Sequence, residues 1–145
     1  MKIRLVPVDK DNWEECYCLS VSDEQDNFVA DNSYSILQSL YGENLYPMCI
    51  YNDDNMVGFL MYDIDPETNR WELSRLMIDK EYQGSGYGRQ ALIVLLEKLK
   101  NELGQINFYT SVEPENKVMK KLIESLDFSA TGEIMGEEEV YCKPL

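Results

Sequence analysis

Residues 83–89 of this 145-residue chain read Gln83-Gly84-Ser85-Gly86-Tyr87-Gly88-Arg89. The run follows an apolar, strand-like stretch at residues 76–78 and precedes a segment of helical periodicity that starts at about Gly88. Its three glycines lack the β-carbons that would hold a ligand away from the main chain, so successive N–H groups can converge on an anion. The helix that follows adds unpaired amides and the positive end of its dipole. The sequence therefore predicts a phosphate-binding loop.

The glycine spacing separates this loop from two commoner phosphate-binding patterns. A P-loop requires Gly-x-x-x-x-Gly-Lys-Ser/Thr, but Gly88 is followed by Arg89 and Gln90. The dinucleotide fingerprint Gly-x-Gly-x-x-Gly fails by one residue, because the glycines stand at positions 84, 86 and 88. The pattern that fits is Gln-x-x-Gly-x-Gly, which falls on Gln83, Gly86 and Gly88.

With this pattern the chain resembles the GNAT superfamily of acyl-CoA-dependent N-acyltransferases, whose pyrophosphate loop is Gln/Arg-x-x-Gly-x-Gly/Ala between a strand and a helix. The similarity covers roughly residues 1–128, and further segments follow in the family order: Val57-Gly58-Phe59, Trp71-Glu72-Leu73, Arg75-Leu76-Met77-Ile78-Asp79, Asn116 and Leu126-Asp127-Phe128. Within the family, residues 21–25, 28–29, 75–79 and 82–84 look most like the bacterial spermine/spermidine acetyltransferases. The resemblance implies that acetyl-CoA is the acetyl donor. No metal site is expected, because the chain has no histidine and its four cysteines lack Cys-x-x-Cys spacing.

The resemblance also implies which residues bind the cofactor. The loop would hold the pyrophosphate, and the pantetheine arm would pair with the edge of the strand at residues 76–78. Asn116 would contact the same arm, although its place at a predicted helix start is also typical of an N-cap. The implied set is Leu76, Met77, Ile78, Gln83, Gly84, Ser85, Gly86, Tyr87, Gly88, Arg89 and Asn116. The alternative for the strand residues is ordinary core packing, and both roles can hold at once.

Three lysines follow Asn116 on the same predicted helix, at positions 117, 120 and 121. They are interpreted as surface charges, and contact between one of them and a CoA phosphate is the alternative.

The hydrophobic pattern predicts a mixed α/β fold. Strands are expected at residues 3–8, 47–51, 56–62, 71–78, 106–112, 129–134 and 139–143. Four helices are expected. The first begins after Asp11, which is interpreted as its cap, and the second covers residues 33–40. The third runs from about Gly88 to its end at Gly104, and the fourth covers residues 116–126. The resemblance implies a GNAT-type central mixed sheet with antiparallel N-terminal strands, splayed after strand 4 and flanked by helices.

The absence of histidine excludes a Ser-His-Asp or Cys-His nucleophile, so direct attack by an amine is favoured over a covalent intermediate. Deprotonating an amine with a pKa of about 10.4 requires a carboxylate or an ordered water. Glu72 is predicted to be this base, because strand alternation places it on one face with Ser74, Leu76 and Ile78. In GNAT enzymes an acid early in this strand often faces the acceptor amine. The alternative is an exposed strand-end carboxylate.

The sequence departs from the family pattern at the general acid. Many GNAT enzymes place a tyrosine in Asn-x-x-Ala-x-x-x-Tyr, but the position counted from Asn116 is Ile123, and the usual glycine nearby is Asp127. Tyr109 is the substitute that we predict for protonating the CoA thiolate, with solvent as the alternative. Since a thiolate leaves more readily than an amine, we still expect an enzyme.

The net charge of −14 argues against a nucleic-acid partner and favours a cationic one. Residues 1–70 carry 14 acidic and 4 basic side chains, and GNAT chains form much of the acceptor site from their early helices. This imbalance suits a polyamine, and we predict that Asp23, Glu24 and Glu72 bind it. The alternative is a solvated acidic surface that aids solubility.

The length predicts a single domain over residues 1–145. The longest aliphatic run, residues 91–96, is too short to span a membrane, and residues 1–4 do not begin a signal peptide, so we expect a cytoplasmic protein. Three functions stay open: a polyamine N-acetyltransferase, an acetyltransferase for another primary amine, and a CoA-binding regulator without turnover. Formation of a homodimer also stays open.

Overall fold

The structure, a computed structural model, describes residues 2–21 and 32–145. The strands in these ranges are β1 (Ile3–Pro7), β2 (Leu45–Asn52), β3 (Asn55–Ile64), β4 (Trp71–Ile78), β5 (Asn107–Val112), β6 (Ser129–Met135) and β7 (Glu138–Pro144). The α-helices are α1 (Trp13–Cys18), α2 (Asn32–Tyr41), α3 (Tyr87–Leu103) and α4 (Lys117–Ser125). None of the described helices is both long and apolar enough to cross a bilayer.

All these strands join one sheet in the order β1-β2-β3-β4-β5-β7-β6. Neighbours from β1 to β4 are antiparallel, whereas β4 and β5 are parallel. Pairing between β4 and β5 is confined to three residue pairs, Trp71 with Phe108, Glu72 with Tyr109 and Leu73 with Thr110. Beyond Leu73 the two strands separate. The predicted mixed sheet, antiparallel at its N-terminal strands and splayed after strand 4, is confirmed.

Helices cover both faces of the sheet, and each face has its own apolar cluster. On the first, which we call the α3 face, α3 and α4 contribute buried side chains that include Leu92, Leu95 and Ile123. On the second, the α1 face, Cys16 of α1 packs with Phe59, Met61 and Met77. The buried residues of α3, which include Leu92 and Leu95, recur at helical spacing, and this explains why that helix lies flat on the sheet.

Strand β4 contains a β-bulge at Ser74. Met61 of β3 is opposite Arg75, and the next residue, Tyr62, is opposite Leu73, so Ser74 is the extra residue. Its hydroxyl donates a hydrogen bond to the Met61 carbonyl oxygen at 3.1 Å. A bulge of this kind shifts the alternation of side chains by one position.

The bulge overturns one expectation from the sequence. Leu73, before the bulge, and Leu76 and Ile78, after it, all pack into the cluster on the α3 face. Glu72 precedes Leu73 and therefore points to the opposite, α1 face. The prediction that Glu72 shares a face with Leu76 and Ile78 was wrong, because simple alternation does not count the inserted residue.

The start of α1 differs in one detail from the prediction. Its N-cap position is Asn12, and the carboxylate that stabilises the turn is Asp9. One oxygen of Asp9 accepts hydrogen bonds from the backbone N–H groups of Asp11 at 2.8 Å and Asn12 at 3.0 Å. Asp11 is therefore not the cap, since the preceding turn already supplies the acceptor.

Candidate active site

The glycine-rich loop connects β4 to α3 through a single turn of 3₁₀ helix, Lys80–Tyr82. The side-chain amide of Gln83 donates a hydrogen bond to the Ile78 carbonyl oxygen at 2.9 Å, which ties the loop to the end of β4. Gly84 and Gly86 have φ angles of 83° and 84°, and Gly86 is the N-cap of α3. Residues other than glycine rarely adopt this left-handed backbone conformation.

The glycines serve two different purposes. A β-carbon added at Gly84 or Gly86 would meet no heavy atom within 4 Å, so these two are required by backbone conformation and leave the loop surface open. A β-carbon on Gly88 would contact Leu122 at 3.5 Å and Ile78 at 3.6 Å, which is ordinary packing. The open side of the loop is therefore at Gly84 and Gly86, next to the N-terminus of α3.

A groove of about 710 Å³ runs from this loop between β4 and α4. The predicted cofactor residues that line it are Leu76, Met77, Ile78, Gln83, Gly84, Gly86, Tyr87, Gly88, Arg89 and Asn116. Ser85 is the one member of the predicted set that is absent from the lining. The structure thus brings together residues of β4, the loop and α4 around one elongated groove.

Cationic side chains of the groove suit an anionic ligand. Arg89, Lys117 and Lys121 line it, and the ion pairs formed among the described residues include none of the three. Lys120, by contrast, faces away and binds Glu139 with its ammonium nitrogen 3.0 Å from the carboxylate. The positive charge at one end of the groove suits phosphate groups, and the apolar edge of β4 along the rest of the groove suits an extended arm. CoA has both.

A second, smaller cavity of about 110 Å³ occupies the opening between β4 and β5. Leu73, Ser74 and Arg75 line it from β4, and Thr110 and Ser111 line it from β5. It shares Leu76, Asn116 and Met119 with the groove, so the two are adjacent. The cavity places the bulge of β4 at the inner end of the groove.

Helix α4 carries the departures from the family pattern. The Asn116 side chain accepts a hydrogen bond from the Met119 N–H at 3.2 Å, so the N-cap interpretation is confirmed, and Asn116 lines the groove as well. Ile123 is fully buried in the cluster on the α3 face. Asp127 has a φ of 68°, which explains why glycine is usual there.

Glu72 lies beside a second carboxyl group, Asp63, directly opposite on β3. Asp63 is 6% exposed and Glu72 is half-buried. Burial, and then the hydrogen bond and negative charge of Asp63, raise the pKa of Glu72 to about 8. Burial also raises the pKa of Asp63, and the hydrogen bond from Glu72 opposes this rise. At neutral pH the two carboxyls therefore share a proton, held mainly by Glu72.

The two predicted catalytic side chains are register neighbours, because Tyr109 of β5 pairs with Glu72 of β4. However, Tyr109 lines neither cavity, and its ring lies under the Arg70 guanidinium, 4.3 Å from carbon to ring centroid. Arg70 is held in turn by two hydrogen bonds to Glu133. The prediction that Tyr109 protonates the leaving thiolate therefore gains no support from its position.

Two predicted substrate-binding residues, Asp23 and Glu24, lie outside the described residues. Described residues on either side of them are bonded to other parts of the fold. The Ser20 N–H donates to the Asp79 carboxylate at 2.9 Å, and the Asn32 side-chain amide donates to the Cys16 carbonyl oxygen at 2.9 Å.

Sequence reasoning missed Asp63 as a member of the site. It ends an apolar run at residues 56–62, and its alternation with Phe59 and Met61 places it on the α1 face. The signal that would have found it is the hairpin register, in which an acid on β3 meets an acid on β4. Met119 and Leu122 of the groove lining were also missed.

Comparison with known proteins shows the family of the chain. The acetyltransferase (GNAT) family matches residues 9–128. The spermine/spermidine N(1)-acetyltransferase of Bacillus subtilis strain 168 is 28% identical over 152 residues, covering 100% of each chain.

Solved structures agree with the fold. A domain from Methanocaldococcus jannaschii aligns with a TM-score of 0.79 at 19% identity, over 99% of both chains. Spermidine N-acetyltransferase from Vibrio cholerae, in complex with CoA and spermine, aligns with a TM-score of 0.73 at 16% identity, over 99% of this chain and 94% of that one. The chain belongs to the GNAT family and is an N-acetyltransferase.

Proposed function

We propose that the chain transfers the acetyl group of acetyl-CoA to a primary amine of a polyamine, such as spermidine or spermine. The observation that carries this proposal is the Asp63 and Glu72 pair, two carboxyls on the α1 face at the closed end of the opening between β4 and β5. Such a pair attracts a cationic acceptor and is able to take a proton from it. The whole-length similarity to the Bacillus subtilis spermine/spermidine enzyme supports a polyamine.

The groove provides the residues that would hold acetyl-CoA. The loop at Gly84 and Gly86, with Arg89, Lys117 and Lys121, would bind its phosphates, and the edge of β4 at residues 76–78 would pair with its pantetheine amides. When bound, acetyl-CoA supplies a thioester that is already activated toward an amine. The protein then has to orient the acceptor and remove a proton from it.

Glu72 is the proton acceptor in this proposal. Like Tyr109, Glu72 lines neither the groove nor the cavity between β4 and β5, but it immediately precedes Leu73 and Ser74, which line that cavity. Because its pKa is raised to about 8, Glu72 is protonated at neutral pH in the free protein and ionised above pH 8. Activity should therefore be lost as the pH falls below about 8, since only the ionised form accepts a proton.

The total charge supports a polycationic acceptor. Residues 1–70 have 14 acidic and 4 basic side chains, and Asp23 and Glu24 within that part are proposed to bind a distal ammonium group. A monoamine would use the Asp63 and Glu72 pair alone, whereas a polyamine would also use these outer acids. The acidic half of the chain therefore favours the longer acceptor.

An N-acetyltransferase for another primary amine is the second candidate, and either candidate must work without the usual general acid. Ile123, fully buried, replaces the tyrosine that serves as general acid in many GNAT enzymes. Under our first proposal, solvent protonates the departing thiolate, which is a good leaving group.

Release of free thiol from acetyl-CoA distinguishes these candidates. We expect turnover with spermidine and spermine that exceeds turnover with a panel of monoamines at pH 8, and no turnover without an amine. Turnover with monoamines only would exclude the polyamine proposal. Binding of CoA without turnover of any amine would contradict both candidates.

A further inference from the structure

We propose that Asp63 is a positioning residue for this reaction, which holds the Glu72 carboxyl on the α1 face and makes it a stronger base. This inference rests on the role of Glu72 in the proposed function. It assigns a task to a buried acid that would otherwise be an unfavourable feature of β3, because a buried carboxyl needs a partner to offset its loss of hydration.

The register of the sheet is the first support. Leu45, Asp63, Glu72, Tyr109 and Cys142 form a continuous row across β2, β3, β4, β5 and β7, each residue paired with the next. Side chains directly opposite each other in adjacent strands lie close together on the same face. Glu72 is therefore flanked by Asp63 on one side and by Tyr109 on the other.

The bulge is the second support. Ser74 is bonded to the Met61 carbonyl oxygen, and the Arg75 guanidinium donates to the Ser74 carbonyl oxygen at 2.7 Å. These contacts fix the backbone two residues after Glu72. They keep the carboxyl of Glu72 beside Asp63 rather than on the α3 face, where an acid would enter the apolar cluster.

The other charged groups around Glu72 are less directly placed. Asp65 follows β3 and raises the pKa of Glu72, but one of its oxygens already accepts a hydrogen bond from the Glu67 N–H at 2.8 Å. Arg75 of β4 lowers the pKa of Glu72 more weakly. On β5 the neighbour is Tyr109, and on β2 the row ends at the apolar Leu45. Asp63 is thus the principal partner.

The chemistry follows from this arrangement. The ionised Glu72 takes one proton from the acceptor ammonium, and the nitrogen keeps the electron pair that attacks the thioester carbonyl carbon. The C–S bond breaks as the C–N bond is completed, the nitrogen loses its second proton to solvent, and the departing CoA thiolate takes a proton from solvent. The new O–H of Glu72 is hydrogen-bonded to the Asp63 carboxylate, and its proton is later returned to solvent. A carboxylate neighbour makes this transfer less unfavourable, because it brings the basicity of Glu72 closer to that of an amine.

The test compares Asp63→Asn with Asp63→Glu and the unmodified protein, using whichever amine is turned over best. We expect Asp63→Asn to shift the acid limb of the kcat/KM profile downward by at least about one pH unit, because an amide stabilises the ionised Glu72. At pH 9 kcat should fall about 10-fold, since the base is weaker, and KM for acetyl-CoA should be unchanged. Asp63→Glu should restore much of the original profile. An unchanged acid limb in Asp63→Asn would overturn the proposal.

A stability measurement provides a readout that needs no acceptor. The folded protein holds the shared proton above the ordinary carboxyl pKa of about 4.3, whereas the unfolded chain releases it. The free energy of unfolding should therefore decrease as the pH rises from about 4.3 to about 8.

Asp63→Asn and Glu72→Gln should each flatten this dependence, measured by urea unfolding at a series of pH values. If neither substitution changes it, the two carboxyls do not share a proton and the inference fails. If polyamines are not acetylated but the dependence flattens as expected, the polyamine assignment fails and the role of Asp63 stands.

Discussion

The cofactor groove and the carboxyl pair are built in opposite ways. The groove takes its key features from one contiguous loop, residues 83–89, whose glycines at 84 and 86 are fixed by local backbone conformation. The carboxyl pair joins Asp63 of β3 to Glu72 of β4, and its geometry depends on strand register and on one inserted residue at Ser74. A local site is readable from a motif, whereas a site across strands is readable only from the pairing of the sheet.

The two regions also differ in electrostatics. Arg89, Lys117 and Lys121 bring positive charge to the groove at the α3 and α4 end. The carboxyl pair brings negative charge, half neutralised by a shared proton, to the α1 face. Under the proposed function, donor and acceptor would be recognised by opposite charges at opposite ends of β4. Substitutions that affect one end should leave the other unchanged.

The largest effect is expected for Gly86→Val, which tests the local half of this comparison. A β-branched residue at a φ of 84° is strained by about 1–3 kcal/mol. The loop should relieve that strain by leaving its binding conformation. We expect the affinity for CoA, measured by calorimetry, to fall about 100-fold, with the circular dichroism spectrum retained.

Gly132→Val is the matched control for this change. Gly132 has a φ of 87° with nothing within 4 Å of an added β-carbon, and it lies on β6 away from the groove. The Gly132→Val protein should lose a similar amount of stability and keep its affinity for CoA. Equal losses of CoA affinity in both variants would mean that strain anywhere in the fold, and not the loop, sets the binding.

Glu72→Gln tests the other half and should have the next largest effect. Removing a general base typically lowers the rate by about 100-fold or more. We expect kcat at pH 8 to fall by this amount while the affinity for CoA is unchanged, because Glu72 lies outside the groove lining. A loss of CoA affinity with intact kcat would mean that the two regions are not separate.

The smallest effects are expected at the cationic edge of the groove. Lys117→Ala and Lys121→Ala should each weaken CoA binding by about 3-fold, and the losses should diminish at high salt because exposed charges are screened. Lys120→Ala is the control, since that lysine binds Glu139 instead of lining the groove. If Lys120→Ala weakened CoA binding as much as the other two, the assignment of charges to the groove would be wrong.

Prediction from sequence succeeded where the signal was local. The loop, the N-cap at Asn116 and the end of α3 at Gly104 all depend on side chains within a few residues of the feature. The element order also followed from hydrophobic periodicity, because the buried faces of α3 and the strands repeat regularly.

Prediction failed where distant residues decide the outcome. The face of Glu72 was assigned wrongly, since the bulge at Ser74 depends on pairing with Met61 and leaves no mark in the alternation of β4 itself. Asp63 was missed because its role depends on Glu72, which lies opposite it on β4. The N-cap of α1 is Asn12 instead of Asp11, because the Asp9 carboxylate holds the N–H groups of Asp11 and Asn12 in a turn before the helix.

The bulge at Ser74 has a consequence for how this fold can diversify. It divides β4 into a segment that carries Glu72 and a segment that borders the groove. The residues on the α3 face have odd numbers before the bulge and even numbers after it. Under the proposed function, substitutions before Ser74 should change which amine is accepted and leave the edge of the groove unaltered, and substitutions after it should do the reverse. Deleting this serine would leave Leu73 and Leu76 on the α3 face, because regular alternation would then run from Leu73 to Arg75. It would remove the hydrogen bond to the Met61 carbonyl oxygen and one lining residue of the cavity between β4 and β5.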